Sequence, residues 1–177
     1  MNKILLSFIL LVGLYTGNVW GATITRYVNP GSTGGNGTTS ALSGANAAYA
    51  SLSAWEAAEQ QDLVTGNNIA LVNCAGTTAD TTVTTIVGWT TGATNYIEII
   101  GDNTTGKWST SNYRLSAGFG ILIDIQEENV RIDKLQLDQT STSQFDGAIQ
   151  VNVTGTADIR ISNSVICLLY TSPSPRD

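Results

Sequence analysis

Alternating apolar residues are written out twice in the second half of the chain. Ile121, Ile123 and Ile125 are followed by a short acidic break, and Val130 and Ile132 resume the alternation. Ile149, Val151 and Val153 then lead across a second break to Ile159 and Ile161. Ile149 follows Ile121, and Ile159 follows Val130, at nearly the same interval. A recurrence at constant spacing marks repeated structural units that stack. Each run is too short for a helix and buries every other residue, so it predicts strands with one face inward. Upstream, Ile97 and Ile99 follow Ile69 and Leu71 at that same interval, which extends the stack. Between Asn129 and Asp138 the alternation predicts Val130, Ile132, Leu135 and Leu137 inside. Arg131, Asp133, Gln136 and Asp138 are then outside, with a bend where the phase changes at Asp133-Lys134. In the next repeat Arg160 is expected over Arg131, Ser162 over Asp133 and Asn163 over Lys134. Two adjacent Arg side chains call for a compensating acid, and Glu127, Glu128 and Asp158 are near.

The first third follows other rules. Arg26 to Val28 predicts a short strand, and the Gly, Asn, Ser and Thr that follow to Ala50 predict a loop. Ser53 and Glu56 have the spacing of a capping box, which predicts a helix over Ala54 to Gln61. Ile69 to Cys74 and Tyr113 to Leu115 read as further strands, Cys74 as a small buried apolar residue. Both ends are expected to lie outside the domain. The apolar run Ile4 to Leu14, with Val19 and Gly21 as small residues before a cleavage point, marks residues 1–21 as a secretory signal peptide. Residues 167–177 resemble a translated sequencing adapter, which leaves 22–166 as the domain and implies that further chain once followed.

Charge and composition narrow the functions. The chain carries 8 basic and 14 acidic residues, a net charge of −6, so it has no electrostatic footprint for nucleic acid or for an anionic membrane once the signal is cleaved. It has no His, which removes the Ser/His/Asp and Cys/His nucleophile systems and the common zinc ligand sets. Only Cys74 lies inside the expected domain, so no internal disulfide is expected.

Tyr27-Val28-Asn29, the Gly-rich loop ending Gly37-Thr38, and Tyr49-Ala50-Ser51-Leu52 before a helix together resemble the N-terminal entry of secreted, pectin-lyase-like proteins. The resemblance implies an all-β fold: a right-handed parallel β-helix solenoid with a short N-terminal capping helix whose Leu52 and Trp55 turn toward the stack, truncated after a few coils. It also implies an extracellular or cell-surface location and contact with polysaccharide. A β-sandwich would explain short strands between turns, but not their recurrence in one order at near-constant spacing.

Two sets of residues carry the candidate chemistry. Trp89 and Trp108 in polar loops, with Tyr113 close to the second, offer flat apolar faces for stacking on sugar rings. Arg131, Asp133, Lys134, Asp138 and Arg160 form an outward polar ladder. The resemblance would make such a ladder a lyase base beside Asp-bound calcium, whereas solvated ion pairs explain the same residues at little energetic value. No metal ligand set is identified from sequence. The expectation is therefore a polysaccharide-contacting protein, noncatalytic in the part present. A polysaccharide lyase or glycoside hydrolase with its site on missing coils is the alternative, and a structural surface stalk or adhesin is a third. Whether the full protein is an enzyme stays open at this point.

Overall fold

A computed structural model describes residues 21–141 and 146–168; all but the last residue of the expected signal peptide and all but the first two residues of the C-terminal segment lie outside that range. The chain opens with β1 (Ala22–Val28), a long loop, and two short helices, α1 (Leu52–Glu59) and α2 (Leu63–Gly66). After them come β2 (Asn68–Cys74), β3 (Thr84–Ile86), β4 (Ile97–Gly101), β5 (Leu115–Ala117) and β6 (Ile121–Ile125). The last five strands are β7 (Asn129–Asp133), β8 (Gln136–Gln139), β9 (Gly147–Val151), β10 (Asp158–Ser162) and β11 (Val165–Leu168).

The strands form three sheets, in the orders β1-β2-β4-β7-β10, β11-β8-β5 and β3-β6-β9. Every pair of neighbours within them is parallel. From β4 onward the chain visits the three sheets in fixed rotation, and each visit adds a strand to the growing edge of a sheet. We call one such visit to all three a circuit. Parallel strands need long connections, and here the other two sheets are the connection.

The inward face follows from the pairing. Ala70, Val72 and Cys74 of β2 lie beneath Ile97, Ile99 and Gly101 of β4, and Ile97 and Ile99 lie beneath Val130 and Ile132 of β7. All but Gly101 belong to one buried apolar cluster, with Leu115, Ile123, Ile125 and Leu137 from the other two sheets. Gly101 has its own reason. A Cβ there would collide with the backbone carbonyl of Lys134, where the next circuit turns its corner.

Val130 does pair with Ile159, and Arg160 and Ser162 do lie over Arg131 and Asp133. Elsewhere the register departs from the expected repeat. Ile97 sits over Ala70 rather than Ile69, so Ile69 and Leu71 face outward and are half-buried; a shift of one residue exchanges the two faces of a strand. Ile149 sits over Ile123, and Ile121 faces Gly147. The bend at Asp133-Lys134 is present, with Lys134 in the left-handed region at φ 58°.

Two further expectations are corrected. Gln136 is fully buried, because the loop before β5 covers the outer side of its sheet. Its Oε1 accepts from Ser109 N at 2.6 Å, and its Nε2 donates to the carbonyls of Ser109 and Tyr113 at 2.9 and 3.1 Å. The cap of α1 is Ser51, whose Oγ accepts from Ala54 N at 3.0 Å, not Ser53. The helix starts early because Leu52 is claimed on two sides: its side chain is buried, and its N–H donates to Asp80 Oδ2 at 2.7 Å.

As expected, Leu52 and Trp55 face inward, and α1 lies against β3 and β1. Carboxylates fasten it there. Glu59 Oε1 accepts from Arg26 Nε and from the Tyr49 hydroxyl, each at 2.7 Å. Burial, then the bond to Glu59, pushes the Tyr49 phenol up to about 12. Glu56, itself buried, accepts from Val87 N at 3.0 Å and from the Trp89 indole at 3.3 Å.

Candidate functional site

The corner between the β3-β6-β9 sheet and the five-stranded sheet holds a cleft of about 270 Å³, lined by Trp89, Thr90, Thr91, Gln126, Glu127, Glu128 and Thr154. Its position follows from the chain path. Each circuit leaves β3, β6 or β9 and must turn before joining β4, β7 or β10, and the polar breaks in the apolar alternation supply those turns. Glu127 and Glu128 occupy the break between β6 and β7, and Thr154 occupies the corresponding break after β9.

Short bonds hold the walls. Glu127 Oε1 accepts from Trp89 N at 2.8 Å. Burial pushes its carboxyl above the usual range, although backbone donors from Trp89 and Gly88 pull the other way. The Glu128 carbonyl accepts from Asp158 N at 2.7 Å, and Asn129 Nδ2 donates to Thr91 Oγ1 at 3.2 Å, which ties the cleft to the start of β7. The exposed part of the lining is three Thr hydroxyls, a carboxamide and two carboxylates, with no cation among them. Such a set accepts from and donates to hydroxyl groups, and it repels an acidic ligand.

The aromatic residues expected to stack on sugars are not brought together. Trp89 is 6% exposed, and its ring packs against Trp55 with centroids 5.6 Å apart. Tyr113 is fully buried, and its hydroxyl donates to Asp80 Oδ2 at 2.8 Å. Neither ring offers a face to a ligand, because both fill space between a loop and the core. Trp108, at 37% exposed, is the one of the three that solvent reaches appreciably.

The outward ladder is also dispersed. Arg131 lies over the Tyr96 ring, 3.4 Å from its centroid. Arg160 is held by Asp158 through two bonds of 2.8 and 2.7 Å. These bonds place the Asp158 carboxyl below its usual range. Asp133 accepts from Ser162 Oγ at 2.8 Å and Asn163 Nδ2 at 2.7 Å, with Lys134 Nζ at 3.3 Å. Burial acts to raise Asp133, but those three partners outweigh it and its pKa is lowered. Asp138 is on a different sheet, where it accepts from Ser116 Oγ at 2.9 Å. Of the acids expected to compensate the Arg pair, Asp158 does so, whereas Glu127 turns into the cleft.

Among the described residues no group of three or more His, Cys, Asp or Glu side chains could hold a metal ion, and no helix is long and apolar enough to cross a membrane. The lining residues Thr90, Thr91, Gln126 and Thr154 were not evident as site residues in the sequence. The one signal for them was their place in the polar breaks, which become corners once the strands stack. No family model, curated protein or solved structure matches this chain.

Proposed function

We propose that this is an extracellular protein that contacts polysaccharide, built as a right-handed parallel β-helix and noncatalytic in the part described. The rotation of the chain through three parallel sheets, under an N-terminal helix, supports the solenoid. The corner cleft is the observation that carries the functional reading. Its hydroxyl, carboxamide and carboxylate groups suit the hydroxyls of a neutral sugar chain, and carboxylate acceptors give the strongest such bonds. The lack of a lining cation directs the reading away from uronate-rich polymers.

Migration of the purified chain through gels containing a neutral polysaccharide or a uronate-containing one tests this. Retardation is expected from a neutral polymer, with the effect lost or reduced about tenfold in Glu128→Ala, whose exposed side chain carries no core packing. Unaltered migration in every polymer tried overturns the proposal. The same samples, assayed for new reducing ends or unsaturated products, would reveal a lyase or hydrolase instead.

A further inference from the structure

The cleft is too small to hold a polymer by itself. At about 270 Å³ it falls below the roughly 300–1,000 Å³ of sites that enclose a drug-sized ligand. It receives a unit or two, and the rest of a bound glycan must lie on neighbouring surface. The chain path decides which surface adjoins it. β3, β6 and β9 run side by side and parallel, and each leads at its C-terminal end into the cleft, whose lining comes largely from the residues just past them. The residues alternating outward along these strands and one position beyond are Thr85 and Val87, Asp124 and Gln126, and Gln150 and Asn152. Thr85 lies beside Asp124, and Asp124 beside Gln150. The outer face of the sheet thus runs without a break into the cleft.

The outward side chains hold one another in place. Asp124 Oδ2 accepts from Gln126 Nε2, and its Oδ1 accepts from Asn152 Nδ2, both at 2.7 Å; Asn152 Oδ1 accepts from Gln150 Nε2 at 2.9 Å. The carboxamide oxygens of Gln126 and Gln150 and the Thr85 hydroxyl make no further bond among the described residues, and all three side chains are exposed. Val87, 38% exposed, adds an apolar patch. No Lys or Arg stands on β3, β6 or β9. This face points away from the core, so a further circuit would lengthen it without covering it.

We infer, on the reading of the cleft as a sugar site, that this face is the second stretch of that site. A neutral, hydroxyl-rich glycan lies on it along the strand direction and enters the cleft. Carboxamides accept from hydroxyls through oxygen and donate to them through nitrogen. Because Asp124 fixes two of them beforehand, little side-chain freedom is lost on binding. Val87 suits the C–H side of a sugar ring. Asp124, Glu127 and Glu128 along the path, with no cation on these strands, repel a uronate chain. The other neighbour of the cleft, the outer face of the five-stranded sheet, presents Arg131 beside Arg160, charges for which a neutral glycan has no counterpart.

Calorimetric titration with three-unit and six-unit oligosaccharides of mannan, xylan and cellulose, and with polygalacturonate fragments, tests the inference. In the neutral series that binds, the longer oligosaccharide is expected to bind roughly tenfold more tightly than the shorter. Gln150→Ala/Asn152→Ala, two exposed positions outside the cleft, should reduce that ratio to about threefold or less and leave the three-unit affinity within about twofold. Thr85→Val, which keeps the β-branched shape, should weaken the six-unit oligosaccharide alone, whereas Glu128→Ala should weaken both lengths. Equal affinity for the two lengths, or a length effect that neither variant alters, overturns this inference and leaves the cleft reading intact where Glu128→Ala still weakens binding. No binding of any fragment or parent polymer overturns both together. Tighter binding of polygalacturonate fragments than of every neutral one overturns the neutral glycan along this path.

Discussion

Asp80 is the residue on which the covered end turns. It is 2% exposed and accepts three hydrogen bonds, from Leu52 N at the start of α1, from Thr82 N at 3.0 Å and from the Tyr113 hydroxyl. Burial raises its pKa even though all three donors lower it. A carboxyl whose folded pKa lies above the unfolded one holds its proton more tightly in the native chain. Its contribution to stability therefore falls as pH rises from the ordinary aspartate value through the raised one. Asp133 and Asp158 have the opposite sign: their contribution is present above the unfolded pKa and is lost as pH falls through the lowered folded value. Asp80→Asn should remove the falling component. It should also cost about 1–3 kcal/mol, because an amide nitrogen cannot accept from Leu52 N. Urea unfolding at a series of pH values measures both, and a variant as stable as the parent with the same pH profile would contradict the assignment. Nothing in the sequence marked Asp80, since its partners are 28, 2 and 33 residues away and only folding brings them to one carboxylate.

At the level of the element, α1 shows which sequence signals are readable. Its existence followed from local composition and spacing, and its inward Leu52 and Trp55 from the resemblance of the N-terminal entry. Its cap did not, because Ser51 and Ser53 are equally good cap residues, and only the tertiary claim on Leu52 decides between them. Ser51→Ala is expected to cost about 1 kcal/mol and Ser53→Ala no more than about 0.5 kcal/mol; equal effects in thermal or urea unfolding would return the cap to Ser53. Glu56 illustrates the same limit. Its spacing from Ser53 suggests a reach back toward the helix start, yet Val87 N and the Trp89 indole draw it across to the next segment. The same indole bond, with the packing on Trp55, is why Trp89 is a structural residue and not a stacking platform. The polar residues around Trp89 carry no local signal that a helix closes over it.

For the molecule as a whole, parallel strands and an aliphatic interior were legible from alternation, but a constant period was not the rule. On the five-stranded sheet the step from Ile97 to Val130 is longer than the steps from Ala70 to Ile97 and from Val130 to Ile159. On the β3-β6-β9 sheet the step from Thr84 to Ile123 is half as long again as the step from Ile123 to Ile149. Strands must stay in register while corners are free to change length, so residue counting found the correct pairs only where the corners match. In a linear stack, each circuit is held by its neighbours alone. Amide hydrogen exchange of a dilute sample should therefore show β4 and β7 most protected and β9, β10 and β11 least. Uniform protection across these strands would contradict a stack in which each circuit is held by its neighbours. Where corners do match, something further follows. Lys134 and Asn163 turn left-handed at φ 58° and 47°, one circuit apart, and each leads into a strand of the same sheet. A duplicated copy of the segment between them would begin and finish on an identical bend. The gene can thus lengthen its product in whole storeys of about 4.8 Å, with no new junction to invent.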